Sequence, residues 1–113
     1  MQFPMRLPPS VPAILTAIAL ATLVSFNPAY AADTTVTISN FAFTPAEVSV
    51  VVGSTVIFKN GDDTIHSIIA DDGSFHSDGL DTNDEFRFTF TKAGVFSYHC
   101  GLHPFMQGKI DVK

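Results

Sequence analysis

The sequence has a single cysteine, few basic residues and no sustained helical periodicity. One cysteine excludes a disulfide within the chain. Six lysine and arginine residues against eleven acidic ones give a formal net charge of −5. This balance argues against a nucleic-acid partner, because phosphate binding needs a basic surface. The missing 3.6-residue periodicity argues against a helical bundle and favours a strand-rich domain.

The N-terminus has the three-part pattern of a secretory signal peptide. Arg6 precedes an apolar run over residues 11–26, and an A-x-A signature ends at Ala31. The alternative is a membrane anchor, but the run is shorter than the roughly 20 residues that span a bilayer. We therefore predict that residues 1–31 are a signal peptide that is removed, and that residues 32–113 form one domain exported to the periplasm, with no stable membrane insertion after cleavage.

Export makes the lone thiol of Cys100 and the acidic surface informative. An unpaired cysteine in an oxidising compartment is expected to be protected, reactive or bound to a metal. Loss of Arg6 leaves five basic residues against all eleven acidic ones. Such a surface favours a basic partner or simply keeps the protein in solution, and composition leaves both readings open.

Short β-branched and aromatic runs between turn residues predict an all-β protein, a two-sheet Greek-key sandwich of about seven to eight strands. The clearest strand is residues 85–91, where Phe86, Phe88 and Phe90 alternate with polar residues. Residues 71–84 read as a long polar surface loop with room for a helical turn. The other predicted strands are residues 34–39, 47–52, 55–59, 64–69, 95–100 and 108–112.

Three metal-ligand types recur at equal spacing near the C-terminus: Cys100, His103 and Met106. Pro104 disfavours a helix here, so the segment reads as a loop between two strands. A second segment must complete the coordination, and His66, after a polar turn, is the candidate. Two imidazoles, one thiolate and a weak axial thioether suit a copper electron-transfer site. Zinc is the rival metal, although a thioether is not among its usual ligands.

Each of these residues alone has an ordinary structural reading, either as core filler or as a surface histidine. Their combination with an exported all-β chain favours a metal site. His99 directly precedes Cys100 on a strand and should point to the opposite face, so we predict a structural role for it. His76 lies in the acidic loop and is expected to be exposed.

The stretches VVGSTVIFKN (residues 51–60), AGVFSYHC (93–100) and HCGLHPFMQGK (99–109), with His66 between the first two, resemble the cupredoxins, or blue copper proteins. Within that family the C-x-x-H-x-x-M spacing is most similar to that of the amicyanins. Ser67 stands where the family often has Asn. Its backbone N–H is expected to donate to the Cys100 sulfur, and its hydroxyl to bridge the two ligand loops.

The resemblance implies a monomeric single-electron carrier with one copper ion per chain, and not an enzyme. His66, Cys100 and His103 would bind copper strongly and Met106 weakly. Redox donor and acceptor proteins would dock near His103, Pro104 and Phe105. Two alternatives stay open: a copper carrier or storage protein of the same fold, and a thiol enzyme in which Cys100 is the nucleophile and a histidine the base.

Overall fold

The computed structural model describes residues 2–6, 9–10 and 30–113. The apolar run 11–26, on which the signal-peptide prediction depends, lies outside the described residues. Among those that are described, no helix is long and apolar enough to cross a membrane.

The described chain forms eight strands in two four-stranded sheets, which confirms the predicted all-β sandwich. One sheet has the order β2-β1-β4-β6 and the other β3-β8-β7-β5. β1 runs parallel to β4, β3 runs parallel to β8, and the remaining pairs are antiparallel. The strands are β1 Asp33–Ser39, β2 Ala42–Thr44, β3 Glu47–Val50, β4 Thr55–Asn60, β5 Ile69–Ala70, β6 Glu85–Thr89, β7 Gly94–His99 and β8 Gln107–Val112.

The core lies between the two sheets and follows the two-residue alternation of the strands. Val36 and Ile38 of β1 are fully buried, whereas their polar neighbours face outward. Phe90 is buried, and Phe86 and Phe88 pack against the core from partly buried positions. Aromatic rings fill much of the space, as in the edge-on contact between Phe58 and Tyr98, whose centroids are 5.2 Å apart.

The predicted strand over residues 64–69 is wrong, because only Ile69–Ala70 pairs as a strand. The side-chain amide of Asn60 donates to the carbonyls of Thr64 and Leu80, at 2.9 Å each. These bonds hold the turn between Asn60 and Thr64 against Leu80. Next to this turn, His66 forms only an isolated bridge with Leu80. The backbone around His66 therefore leaves the sheet ladder.

Two further details differ from the prediction. β2, only three residues long, was missed because so short a segment shows no alternation. The 71–84 loop has no helical turn, and it includes the isolated bridge partners His76 and Leu80.

Tyr98→Phe is expected to raise the free energy of unfolding by about 1 kcal/mol, because an unpaired buried hydroxyl costs about 1–3 kcal/mol. The Tyr98 hydroxyl is buried and has no hydrogen-bond partner among the described residues. Burial also raises the pKa of the phenol far above its usual range. Urea denaturation of the metal-free protein measures the difference. A loss of stability would contradict the expectation that removing this hydroxyl relieves a desolvation cost.

Candidate metal centre

Cys100 and His103 are positioned by the loop that joins β7 to β8. The strand alternation that buries Tyr98 also turns the next inward side chain, Cys100, into the core. Two backbone hydrogen bonds close the loop: the N–H of Cys100 donates to the carbonyl of Met106 (3.1 Å), and the N–H of Met106 donates to the carbonyl of His103 (2.9 Å). The Met106 side chain is buried, and these bonds keep its backbone beside the other two residues.

His66 reaches the same end of the sandwich from the segment between β4 and β5. Its backbone pairs with Leu80 in both directions, with N···O distances of 3.1 and 2.6 Å, and its side chain is fully buried. A buried imidazole needs polar partners, because an unsatisfied polar group costs free energy in the core. The partners on its two ring nitrogens are a carboxylate and the thiol of Cys100.

The structure brings three of the predicted ligands together. The Sγ atom of Cys100 lies 3.7 Å from Nδ1 of His66 and 3.7 Å from Nδ1 of His103. One ligand atom from each of the three residues lies within 4.8 Å of the others, and within the described part of the chain this is the only such group of three or more histidine, cysteine or acidic side chains.

These separations fit a central metal ion. A metal about 2.3 Å from a thiolate and about 2.0 Å from an imidazole, with about 120° between the bonds, separates the two ligand atoms by about 3.7 Å. The observed distances match this trigonal spacing. The thiolate, the imidazoles and a buried thioether nearby also match the ligand types that copper prefers.

Ser67 joins the two ligand loops. Its backbone N–H donates to Sγ of Cys100 at 3.4 Å, and its hydroxyl accepts the N–H of Gly101 at 3.0 Å. Both contacts predicted for this residue are therefore present. The loop also needs glycine at position 101, because a Cβ atom there would lie 2.8 Å from the Ser67 hydroxyl oxygen.

Asp62 is a part of the site that the sequence did not reveal. Its carboxylate Oδ2 lies 2.9 Å from Nε2 of His66. The same carboxylate accepts the backbone N–H groups of Phe41 (3.0 Å) and Asn40 (2.7 Å). These hydrogen bonds hold the pKa of Asp62 below its usual range. The backbone N–H of Phe41 has the largest effect, and the backbone N–H of Asn40 and the ring of His66 contribute less. An ionised Asp62 requires the proton of His66 on Nε2, which leaves the Nδ1 lone pair facing Cys100.

The remaining histidines lie apart from this cluster. His99 faces the opposite way from Cys100, and its Nδ1 lies 2.7 Å from Oδ1 of Asp71. His76 is exposed. Both positions are those predicted, with His99 on the face opposite Cys100 and His76 exposed.

Comparison with known proteins identifies the family. The protein-family model of the cupredoxin-like domain matches residues 13–112 of the sequence. This chain is a cupredoxin. Amicyanins from Paracoccus versutus and Paracoccus denitrificans are each 30% identical to it, over 102 and 103 residues. The alignments cover 81% and 82% of this chain and 77% and 79% of those relatives.

Solved structures support the same relationship. A purple cupredoxin from Nitrosopumilus maritimus superposes with a TM-score of 0.67 at 29% identity, covering 72% of this chain and all of that one. A reduced amicyanin variant gives a TM-score of 0.68 at 29% identity, covering 72% and 82%. A copper-containing nitrite reductase from Thermus scotoductus gives 0.67 at 32% identity, but only 22% of its chain is covered. Copper is the metal of this family, and the side chains at this site suit it.

Asp62→Ala is expected to weaken copper binding about 10–100-fold, the usual cost of losing a partner that orients a ligand imidazole. Without the carboxylate, His66 loses the contact that fixes its ring and its protonated nitrogen. Competition with a copper chelator measures the affinity. Asp63→Ala is the matched control, because Asp63 is adjacent and exposed. Equal affinities for Asp62→Ala and the unmodified protein would contradict this role.

Proposed function

We propose that this cupredoxin is an exported carrier of single electrons. His66 Nδ1, Cys100 Sγ and His103 Nδ1 would bind one copper ion, with Met106 as a weak fourth ligand. The observation that supports this most strongly is the convergence of the three ligand atoms in a largely buried site, where Cys100 Sγ lies 3.7 Å from each imidazole nitrogen and all three atoms lie within 4.8 Å of one another. Copper supplies a one-electron change between Cu(II) and Cu(I).

The protein's contribution is to hold the ligand atoms in place through both oxidation states. Backbone hydrogen bonds close the 100–106 loop, and Ser67 ties that loop to His66. The N–H of Ser67 also stabilises negative charge on the Cys100 sulfur. A site whose ligands are fixed by the fold rearranges little when an electron arrives or leaves, and this suits transfer without substrate chemistry.

The electron would enter and leave through His103, whose side chain is half-buried at the end of the sandwich. Exposed apolar side chains surround it, and we call Phe41, Leu102, Pro104 and Phe105 the His103 patch. The Phe41 and Phe105 ring centroids lie 5.1 and 6.0 Å from that of His103. A small apolar patch of this kind suits the brief docking of redox partners.

The charge around this end favours a basic partner. Residues 61–84 include seven aspartates and no lysine or arginine. Thr82 donates its hydroxyl proton to the carbonyl of Asp62 at 2.7 Å, which brings the acidic 81–84 turn close to the loop that carries His66. Negative charge beside the His103 patch would speed the encounter with a positively charged partner at low salt.

Export through residues 1–31 is part of the proposal. Cleavage after Ala31 would leave β1 complete, because that strand begins at Asp33. Ala32 would keep its backbone contact, in which its carbonyl accepts the N–H of Thr55 at 3.2 Å. Sequencing the N-terminus of the protein recovered from the periplasm tests the cleavage site.

Features of the site disfavour the two alternatives. A copper carrier that exchanges its metal needs accessible ligands, yet Cys100 and His66 are fully buried, and Met106 is the only methionine after residue 31. A thiol enzyme needs a cysteine that a substrate can reach, and burial of Cys100 opposes this as well. The nitrite reductase resembles this chain over only 22% of its own length, so its activity does not carry over.

An equilibrium redox titration of the copper-loaded protein tests the proposal. We expect a reversible one-electron transition, in which the ratio of oxidised to reduced protein changes tenfold per roughly 59 mV. Irreversible copper loss on reduction would favour a metal carrier, and a protein that cannot be reduced would overturn the electron-carrier function.

A further inference from the structure

The turn between β1 and β2 contains an unusual residue. Asn40 and Phe41 are the two central residues of a tight hairpin, and their φ values are +50° and +57°. Hairpin turns with two positive φ values strongly prefer glycine at the second position. A phenylalanine there is rare, because the left-handed region crowds its Cβ against the backbone. Some other contact must favour the aromatic ring at this point.

The turn is fixed to the metal centre by Asp62. Oδ2 of Asp62 accepts the N–H of Phe41 and also lies within hydrogen-bond distance of Nε2 of His66. Oδ1 accepts the N–H of Asn40. One carboxylate therefore links the turn that carries Phe41 to a ring nitrogen of His66.

The Phe41 ring contacts both imidazoles. It lies edge-on to His66, with centroids 5.3 Å apart at 84°, and edge-on to His103, at 5.1 Å and 85°. The two imidazoles come from different loops, and their own centroids are 5.0 Å apart. Phe41 is 42% exposed, so one part of its ring meets the two histidines while the rest meets solvent.

We propose that Phe41 is a positioning residue of the metal centre, which fixes the planes of both imidazoles and keeps water away from them. The inference rests on the proposed copper function. Excluding water from the site should change the reduction potential, because the oxidised site carries one more positive charge than the reduced site. Water stabilises the more highly charged form, so a ring that excludes water favours the reduced form.

Phe41→Asn tests this role while sparing the backbone, since asparagine tolerates positive φ better than most residues. The expected result is at least a tenfold shift of the Cu(II)/Cu(I) equilibrium toward Cu(II), which lowers the midpoint potential of this one-electron couple by about 59 mV. Phe41→Tyr retains the ring, and we expect a shift of less than twofold.

Val52→Asn is the matched control for exchanging an exposed apolar residue. Val52 is 45% exposed, and it lies in the turn before β4, at the other end of that strand from the site. We expect its midpoint potential to equal that of the unmodified protein. Thermal melting of each metal-free variant shows whether the fold is intact.

Equal potentials for Phe41→Asn and the unmodified protein would overturn the inference, as would an equal decrease in Phe41→Tyr. Either result would leave the proposed function standing if the unmodified protein shows a reversible one-electron couple. Absence of that couple in the unmodified protein would instead overturn the proposed function.

Discussion

The copper-free protein is expected to melt roughly 15–30 °C below the copper-loaded protein. A ligand that binds only the native state adds about 4 kcal/mol to the free energy of unfolding when its free concentration is about 1,000 times its dissociation constant. In a domain of this size, each kcal/mol changes the melting temperature by about 4–8 °C. The effect should be large because His66 and Cys100 meet only in the folded chain.

Calorimetry of the protein with and without copper measures this difference, and dialysis against a chelator followed by reloading shows whether it is reversible. A Cys100→Ser variant treated with copper is the control, since it should show little of the increase. If copper leaves the melting temperature of the unmodified protein unchanged, the three side chains do not bind the metal in the native state.

Cys100→Ser is expected to weaken copper binding by more than about 100-fold, beyond the usual cost of losing a partner that only orients a ligand. Serine is close to cysteine in size, so the buried site should remain packed. Its hydroxyl does not provide the soft thiolate that favours Cu(I). The variant should therefore lose both tight binding and the thiolate-to-copper absorption.

Chelator competition and metal analysis after gel filtration measure the loss. His76→Ala is the control for removing a metal-binding side chain, because His76 is exposed and lies outside the cluster. Retention of stoichiometric copper by Cys100→Ser at submicromolar protein concentration would show that the thiolate is not a principal ligand.

The ligand loop could be predicted from sequence because its signals are local. Two-residue alternation along β7 turns Cys100 inward, and Pro104 favours a loop immediately after it. The predicted hydrogen bond from the Ser67 N–H to the Cys100 sulfur is present, and the predicted bridge by its hydroxyl reaches the N–H of Gly101. These contacts follow from the position of Ser67 directly after a histidine that faces Cys100.

Asp62 and Phe41 could not be predicted because their contacts join segments far apart in the chain. The carboxylate of Asp62 binds a turn 21–22 residues earlier as well as His66, four residues later. Nothing in the Asn-Phe dipeptide indicates a tight hairpin, since the usual glycine is missing. An aspartate four residues before a predicted ligand histidine was the one available clue.

The error at residues 64–69 has a physical cause of the same kind. Ile65, Ile68 and Ile69 make this segment look like a strand by composition. The amide of Asn60, bound to the carbonyls of Thr64 and Leu80, fixes the backbone in another path. That path carries His66 to the metal centre, so the local propensity is overridden where the proposed function requires it.

The visible absorption spectrum of the oxidised, copper-loaded protein tests the proposed metal centre most directly. Coordination by Cys100, His66 and His103 predicts an intense thiolate-to-copper band toward the red end of the spectrum, which disappears on reduction and returns on reoxidation. A protein that binds copper and stays colourless after oxidation would contradict the blue copper assignment.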